Sequence, residues 1–183
     1  MENIFKETEL ILSKYKKFNN NKTRSNVSGI EKYVQWARDK EFNHIRKIGI
    51  SCDSLTFGQV KTLFTKKGVE TESRFNKKYS DVFQTLMELS LYCTDEDFIT
   101  TSICLNHNLK CLPHYDGRNV GDSWIVGLGN YSGGELIIYD EDDNKTLIDI
   151  KYKPYCFNGA KIKHSTNDFT GTRYSVIFFQ CSK

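Results

Sequence analysis

The sequence predicts a mainly β fold with supporting α-helices, in which the second half of the chain closes into a barrel. Short runs of strand-forming residues alternate with Gly, Asn and Asp turns over residues 99–180. Helix-like spacing of apolar residues occurs before that point. A chain of 183 residues is large enough for one domain with a proper core. We therefore expect one domain, with residues 1–98 as a helical and lid-forming part and residues 99–183 as the β core.

The N-terminal part is expected to begin with an amphipathic helix that runs into the polar loop at residues 19–22. The apolar residues with helical spacing are Ile4, Leu10, Ile11 and Phe18. Two further helices, over residues 30–37 and 79–93, are expected to cover one sheet of the barrel. Ser80-Asp81 could cap the last of them, because short polar side chains accept hydrogen bonds from unpaired helix amides.

Between those helices, residues 48–60 resemble short strands and turns, and residues 66–68 and 74–78 are basic. This stretch is the candidate lid over a substrate. The strand-like runs of the core lie at residues 100–105, 123–128, 134–139, 146–152, 153–157 and 173–181. Eight or so short strands that close on themselves fit a β-helix or cupin-type barrel better than an open sheet.

The cysteines and the charge limit the class of protein. Six cysteines form no Cys-x-x-Cys pair, so neither a zinc ribbon nor a thioredoxin-like motif is predicted, and we expect mostly buried thiols. The first residues are charged rather than apolar, and no apolar run approaches the ~18 residues of a membrane span. We therefore expect an intracellular protein, cytoplasmic or nuclear, without a signal peptide. The formal charge of +3 permits an anionic partner without arguing strongly for one.

His114, Asp116 and His164 are the candidate metal ligands. Two imidazoles and one carboxylate can hold a non-haem Fe(II) on one face and leave the other face open for a co-substrate and O2. His114 and Asp116 stand two apart, a spacing that suits a strand because alternate side chains point the same way. His164 opens a Ser/Thr/Asn turn before the last apolar run. Arg173 follows with a planar fork that can grip a carboxylate through two hydrogen bonds.

These residues, in this order, resemble the motif of the Fe(II)/2-oxoglutarate-dependent dioxygenases, which reads His-x-Asp, a long gap, His, then Arg. The resemblance covers residues 99–180 and implies a double-stranded β-helix, a jelly-roll or cupin-like core. It implies iron ligation by His114, Asp116 and His164, and binding of the distal carboxylate of 2-oxoglutarate by Arg173. It also implies an oxidoreductase that uses Fe(II), 2-oxoglutarate and O2 to hydroxylate or oxidise a C–H bond.

Asn106, Asn119 and Tyr131 surround the ligand motif in sequence and are candidate cofactor-binding residues. Each could orient 2-oxoglutarate or a ligating residue through a hydrogen bond. For the asparagines, turn formation is an equal alternative. Gly133-Gly134 is expected to serve a tight turn rather than catalysis. His107 is expected to lie outside the site.

The substrate is a separate prediction. Residues 105–108, 114–121 and 127–136 are similar to the TET/JBP-type nucleobase oxygenases, which oxidise the 5-methyl group of pyrimidines. An enzyme acting on duplex DNA or RNA must flip its target base and bind the flanking phosphates. The basic segments at residues 14–24 and 74–78 could bind the phosphates. The interleaved aromatic residues, which could stack on bases, are Tyr15, Phe18, Phe75 and Tyr79.

Two other function classes stay open. A protein-residue or small-molecule hydroxylase would share every core residue and differ in the lid, so that a peptide or a small molecule would be its partner. A non-enzymatic cupin-like binding module would carry the metal site incidentally. The presence of Arg173 in the position that the dioxygenase motif requires argues against the binding module.

Overall fold

The computed structural model describes residues 3–16, 18, 53–60, 70–117 and 119–181 in full. It describes the backbone alone at residue 2, 23–24, 27–28, 32–38 and 44–51. The helices are α1 (Glu2–Ser13), α2 (Phe75–Lys78) and α3 (Ser80–Cys93). The first strands are β1 (Thr23–Arg24), β2 (Val27–Ser28), β3 (Lys32–Arg38), β4 (His44–Ser51), β5 (Asp53–Val60), β6 (Thr71–Glu72), β7 (Ser102–His107) and β8 (Lys110–Cys111). The remaining strands are β9 (Ser123–Leu128), β10 (Tyr131–Gly133), β11 (Leu136–Tyr139), β12 (Lys145–Ile148), β13 (Tyr155–Phe157), β14 (His164–Thr166), β15 (Phe169–Gly171) and β16 (Tyr174–Phe179).

The main sheet is antiparallel and has six strands in the order β13-β9-β16-β7-β5-β6. Successive side chains of a strand point to opposite faces, so the main sheet contributes side chains to two separate cores. Leu105 and Val176 join the core on the outer face of the sheet. Ile125 and Ile177 join a second core on its inner face.

A smaller sheet, in the order β12-β11-β14, faces the inner side of the main sheet. Leu136 from β11 packs with Ile125 and Phe157 from the main sheet, which gives a core between the two sheets. The strands β10 and β15 form a further antiparallel pair. Two antiparallel sheets around one inner core form the double-stranded β-helix that the sequence predicted, with few helices, so the predicted fold class is confirmed.

The helices cover the outer face of the main sheet. Apolar side chains of α1 and α3 pack there against β5, β7, β9 and β16. Fully buried side chains in this layer include Leu12, Leu86 and Leu89 from the helices and Leu55 and Phe57 from β5. The hydroxyl of Tyr15 donates to the Asp81 carboxylate at the start of α3, with Oη 2.9 Å from Oδ1. The main sheet is therefore covered by helices on its outer face and by the smaller sheet on its inner face.

Three predicted elements differ in the structure. Residues 32–38 form the strand β3 rather than a helix, because they pair along their whole length with β4 as an antiparallel hairpin. The helix α1 ends at Ser13, and Leu10 is 67% exposed, because Phe5 and Leu12 supply its buried face. The predicted side-chain cap at Ser80-Asp81 is wrong: α2 runs almost directly into α3, and the preceding residue caps the helix without a side-chain hydrogen bond.

The main sheet also contains a strand from the part of the chain that was assigned to helices and a lid. Within the candidate lid of residues 48–78, β5 pairs with β7 over six residues and is a fully integrated strand. The basic residues 66–68 lie outside the described residues. The predicted core strands are present, and β9 has the predicted bounds.

The five described cysteines form no disulfide, and Cys93, Cys104 and Cys181 are buried, as expected. Burial raises the pKa of the Cys93 thiol to about 12. Within the part of the chain that the structure describes, no helix combines the length and the apolar character needed to cross a membrane.

Candidate metal and co-substrate site

The structure brings His114, Asp116 and His164 together at one end of the smaller sheet. His114 and His164 form an antiparallel bridge in which each backbone N–H donates to the other residue's carbonyl oxygen, with both N···O distances 3.0 Å. Directly opposite residues of such a pair project their side chains to the same face. The ring centroids are accordingly 4.3 Å apart. His164 begins the strand β14, where the sequence had predicted a turn.

Asp116 follows His114 by two residues and is held by the backbone of a separate loop. Its N–H donates to the Gly159 carbonyl, with N and O 2.8 Å apart. Its carboxylate oxygens lie 3.5 Å from His114 Nε2 and 3.6 Å from His164 Nε2. One potential ligand atom from each of the three residues can be chosen so that all lie within 4.8 Å of one another. The absence of a side chain at Gly159 leaves room for the Asp116 carboxylate, because a methyl group at that position would crowd Oδ2 at 3.2 Å.

The tautomer of both histidines is fixed by their backbone partners. His114 Nδ1 lies 2.7 Å from the Leu112 carbonyl oxygen, and His164 Nδ1 lies 2.9 Å from the Ile162 carbonyl oxygen. A carbonyl oxygen only accepts, so each Nδ1 must carry a proton. The Nε2 atoms of both rings therefore face Asp116 and would be the ligand atoms for a metal, an arrangement in which backbone carbonyls orient the histidines.

The electrostatics of Asp116 favour an ionised ligand. Burial raises the pKa of the Asp116 carboxyl group, but the interactions of its oxygens with His114 and His164 more than offset that effect. The net result is a pKa well below the usual range of an aspartic acid. The carboxylate is therefore available as an anionic ligand at neutral pH.

Arg173 is the largest fully buried side chain among the described residues and is only 2% exposed. Its Nε donates to the Gly134 carbonyl, 3.2 Å away, and its guanidinium carbon lies 5.5 Å from the ring centroids of both Tyr131 and Phe169. Among the described residues, no carboxylate forms an ion pair with it. Burial lowers the pKa of this guanidinium, which nevertheless stays charged. A buried cation is costly unless it is paired, so Arg173 is the candidate anion-binding group among the described residues.

Two glycines make room for this arrangement. Gly134 has a φ of +75°, and a methyl group there would lie 2.7 Å from Arg173 Nε. Gly133 also has a positive φ, in agreement with the predicted tight turn. A methyl group at Gly127 would lie 2.2 Å from the Tyr131 hydroxyl oxygen. The backbone therefore approaches both side chains more closely than any other residue type would allow.

Tyr131 is buried, and its hydroxyl has no hydrogen-bond partner among the described residues. Burial raises the pKa of this hydroxyl, which therefore remains protonated and can donate. Lys151 fixes the residue from the other side, because its Nζ donates to the Tyr131 carbonyl at 2.7 Å and lies 4.8 Å from the ring centroid. The predicted candidate Tyr131 is thus placed beside Arg173 with an unused donor.

The two asparagines have different surroundings. Asn106 lies on the inner face of the main sheet, where its Nδ2 donates to Ser175 Oγ at 3.3 Å. Ser175 stands opposite both Asn106 and Gly127 in the sheet, so these residues form one polar row across three strands. Asn119 is placed in a turn: its N–H donates to the Asp116 carbonyl and its Nδ2 donates to Ser123 Oγ at 3.1 Å.

Sequence reasoning did not single out Ser175 and Lys151. Ser175 could have been predicted, because it follows Arg173 by two residues in a predicted strand and side chains at that spacing point to the same face. Lys151 had none, since it reaches Tyr131 from a segment that joins the sheet through a single bridge to Gly127. His107 lies outside the site, as expected, with its Nδ1 2.8 Å from Asp53 Oδ2 and its ring stacked on Tyr174.

The aromatic residues of the basic segments pack against one another, with Phe18 and Tyr79 buried and Tyr15 and Phe75 partly buried. Tyr79 is buried, and its ring contacts Tyr15, Phe18 and Phe75 at centroid distances of 5.2, 5.5 and 6.2 Å. The predicted stacking of Tyr79 on a base is therefore wrong, because the ring is already covered by core neighbours. Lys14, Lys16, Lys77 and Lys78 are exposed, whereas the side chains of Lys17, Lys22 and Arg24 lie outside the described residues.

Comparison with known proteins gives a likeness of fold. Neither a protein-family model nor a curated protein sequence matches the chain. Among solved structures, NgTET1 in complex with 5mC DNA is similar at 13% identity and a TM-score of 0.47, over 70% of this chain and 61% of that chain. A Burkholderia pseudomallei oxidoreductase of the 2OG-Fe(II) oxygenase family is similar at 14% identity and a TM-score of 0.44, over 60% of each chain. A Pseudomonas putida prolyl-4-hydroxylase is similar at 12% identity and a TM-score of 0.45, over 99% of this chain and 88% of that one.

Proposed function

We propose that the chain is an Fe(II)- and 2-oxoglutarate-dependent oxygenase that oxidises a C–H bond. The observation that carries this proposal is the combination of a His-Asp-His cluster with a buried arginine that has no ion-pair partner among the described residues. The cluster supplies the donor set of a non-haem iron site. The arginine supplies a binding group for a carboxylate. A protein that needed only a metal would have no use for the second feature.

His114, Asp116 and His164 would hold the iron. Both imidazoles have their Nδ1 protons engaged by backbone carbonyls, so their Nε2 atoms are the ligand atoms. Three protein ligands are fewer than an octahedral ion accepts, and the remaining positions would serve a co-substrate and O2. When bound, the iron and 2-oxoglutarate supply the oxidising chemistry, while the protein supplies position, charge and exclusion of water.

Arg173 would bind the distal carboxylate of 2-oxoglutarate. Its Nε donates to the Gly134 carbonyl, and the two terminal nitrogens of its fork form no ion pair with a described carboxylate, so they are available to an anion. The Tyr131 hydroxyl, protonated and without a partner in the described structure, would donate a further hydrogen bond. Asn106 and Ser175 would line the interior on the same face of the sheet. Asn119 would act indirectly, by holding the turn after Asp116.

As substrate we propose the methyl group of a nucleic-acid base. Its support is the sequence likeness to nucleobase oxygenases and one feature near the metal ligands: Tyr115, between His114 and Asp116, is 56% exposed. An exposed ring there could stack on an extruded base, a contact worth about 1–3 kcal/mol per base. A protein-residue or small-molecule hydroxylase is the alternative, because it would use the same metal and co-substrate residues.

The first experiment measures succinate formation and binding with the purified chain. With Fe(II), 2-oxoglutarate and O2, the parent chain should form succinate. His164→Ala should weaken metal binding on the order of 100-fold or more, since even residues that only orient a ligand contribute about 10–100-fold. His107→Ala is the matched control and should retain the metal. Full metal occupancy in His164→Ala would refute the assignment of the triad.

Arg173→Ala should retain the metal and bind 2-oxoglutarate at least about tenfold more weakly, because a charge-assisted contact is lost. Unchanged 2-oxoglutarate affinity would reduce Arg173 to a structural residue. A panel of methylated DNA, RNA and peptides then tests the substrate. Turnover of a methylated base that falls in Tyr115→Ala supports the nucleobase proposal, whereas turnover of peptides alone would replace it with the protein hydroxylase.

A further inference from the structure

The carboxylate of Glu9 joins the N-terminal helix to the barrel. Its Oε1 accepts two hydrogen bonds, from the Gly129 N–H at 2.6 Å and from the Tyr152 hydroxyl at 2.7 Å. The ring of Tyr152 also packs against Phe5 of the same helix, with the centroids 5.6 Å apart. One side chain of α1 therefore holds two barrel segments that are far apart in sequence.

Both segments adjoin the co-substrate residues. Gly129, with a φ of +113°, lies against the backbone just before Arg173, because a methyl group there would be 2.3 Å from the Thr172 carbonyl oxygen. The Tyr152 N–H donates to the carbonyl of Gly127, the glycine that makes room for the Tyr131 hydroxyl.

The chain neighbour of Tyr152 extends this connection. Lys151 donates from Nζ to the Tyr131 carbonyl and lies 4.8 Å from its ring centroid. Tyr152 itself has a φ of +56°, a left-handed conformation that is uncommon for residues other than glycine and needs support from its surroundings. The bond to Glu9 supplies part of that support.

We propose that Glu9 is a positioning residue for the 2-oxoglutarate pocket. It fixes the turn at Gly129 and the segment at Lys151 and Tyr152, and these in turn fix Tyr131 and the approach to Arg173. This inference rests on the proposed function, because it concerns the same pocket. Glu9 lies on the outer helical layer and acts through its neighbours, so its loss should weaken co-substrate binding without altering the metal ligands.

The test titrates 2-oxoglutarate into the Mn(II)-loaded full chain by calorimetry. Glu9→Ala should weaken 2-oxoglutarate binding by about tenfold, because the segments that hold Tyr131 and the approach to Arg173 lose their common anchor. Glu9→Gln keeps an acceptor oxygen and should stay within about threefold of the parent. Glu7→Ala, on the exposed side of the same helix, is the control and should bind as the parent does. Mn(II) affinity should be equal in all four proteins.

A second readout needs no bound ligand. Amide exchange at Gly129 in the metal-free protein should accelerate in Glu9→Ala and remain slow in Glu7→Ala, because only the former removes the acceptor of that N–H. Should Glu9→Ala fail to fold, Tyr152→Phe removes only the hydroxyl oxygen and should weaken 2-oxoglutarate binding in the same direction.

The outcomes separate the two proposals. Tight 2-oxoglutarate binding by the parent and equally by Glu9→Ala and Tyr152→Phe would overturn this inference alone. A parallel loss of Mn(II) affinity would also overturn it, since that pattern indicates general destabilisation rather than positioning. Absence of 2-oxoglutarate binding by the parent chain would overturn the proposed function, and this inference with it.

Discussion

Arg173 is held in place by hydrogen-bond acceptors from two different turns. The Gly134 carbonyl accepts from its Nε, and the side chain of Asn108 accepts from its backbone N–H at 2.8 Å. Asn108 itself has a left-handed φ of 49°, a conformation that asparagine tolerates better than most residues. Gly134 therefore holds the guanidinium group, and Asn108, in a different turn, holds the backbone of Arg173.

Replacing Gly134 by alanine should displace the arginine. The added methyl group would lie 2.7 Å from Arg173 Nε and would strain a φ of +75°. We expect 2-oxoglutarate affinity to fall by at least about tenfold, the effect of losing a charge-assisted contact. Metal binding should persist, because the three ligands lie elsewhere. Calorimetric titration of both ligands checks this.

Gly117→Ala is the matched control for that prediction. It lies next to Asp116 in sequence, has no left-handed φ, and has nothing within 4 Å of the added methyl group. Its 2-oxoglutarate affinity should equal that of the parent. If Gly134→Ala also bound 2-oxoglutarate normally, the close approach of the Gly134 backbone to Arg173 would not be needed for co-substrate binding.

The candidate site could be predicted from sequence only where chemistry and spacing coincide. His114, Asp116, His164 and Arg173 are rare residue types in a fixed order, and the structure brings the first three together. Lys151 and Gly127 act through contacts made by the folded backbone, so no local pattern marks them. Tyr79 was misjudged because an aromatic residue beside lysines has the same sequence pattern whether its ring is buried or exposed.

At the scale of elements, the helical layer depends on α3. One face of this helix is buried against the main sheet and includes Leu86 and Leu89, while Leu91 on the opposite side is 79% exposed. This spacing was visible in the sequence, and the helix was predicted correctly. Residues 32–38 were not, because their pairing with β4 is a property of two segments and not of one.

Shortening the side chain of Leu86 in α3 should strongly destabilise the protein. Leu86→Ala removes a fully buried side chain and should lower the free energy of unfolding by about 2–5 kcal/mol. Leu91→Ala, on the same helix, should change it by less than about 0.5 kcal/mol. Urea denaturation followed by circular dichroism measures both. Equal effects would contradict the buried face assigned to α3.

For the whole molecule, the stability at alkaline pH should depend on the contact between Glu9 of α1 and Tyr152 of the barrel. Burial, followed by the hydrogen bond and negative charge of Glu9, raises the pKa of Tyr152 from 10.0 to about 12. A raised pKa means that the folded state prefers the protonated hydroxyl. The stabilisation is therefore complete below about pH 10 and is lost as the pH rises towards 12.

Tyr152→Phe should consequently lose less of its stability than the parent does when the pH is raised. The difference in free energy of unfolding between parent and variant should be largest below about pH 10 and should shrink as the pH approaches 12. Chemical denaturation at several pH values measures it. Tyr92→Phe removes the hydroxyl of an exposed tyrosine at the end of α3 and is the control for the substitution itself. A difference for Tyr152→Phe that stayed constant with pH would contradict the assigned contact.

The position of β16 in the main sheet has a consequence for how the protein is made. It is the last described strand, yet it lies between β7 and β9, which emerge from the ribosome long before it. Until residues 174–179 are synthesised, these two strands lack the neighbour that joins them. Arg173 and Ser175 arrive with that same segment. A nascent chain thus exposes two open strand edges, the kind of surface that chaperones protect, and it acquires the proposed co-substrate pocket only as translation of this segment finishes.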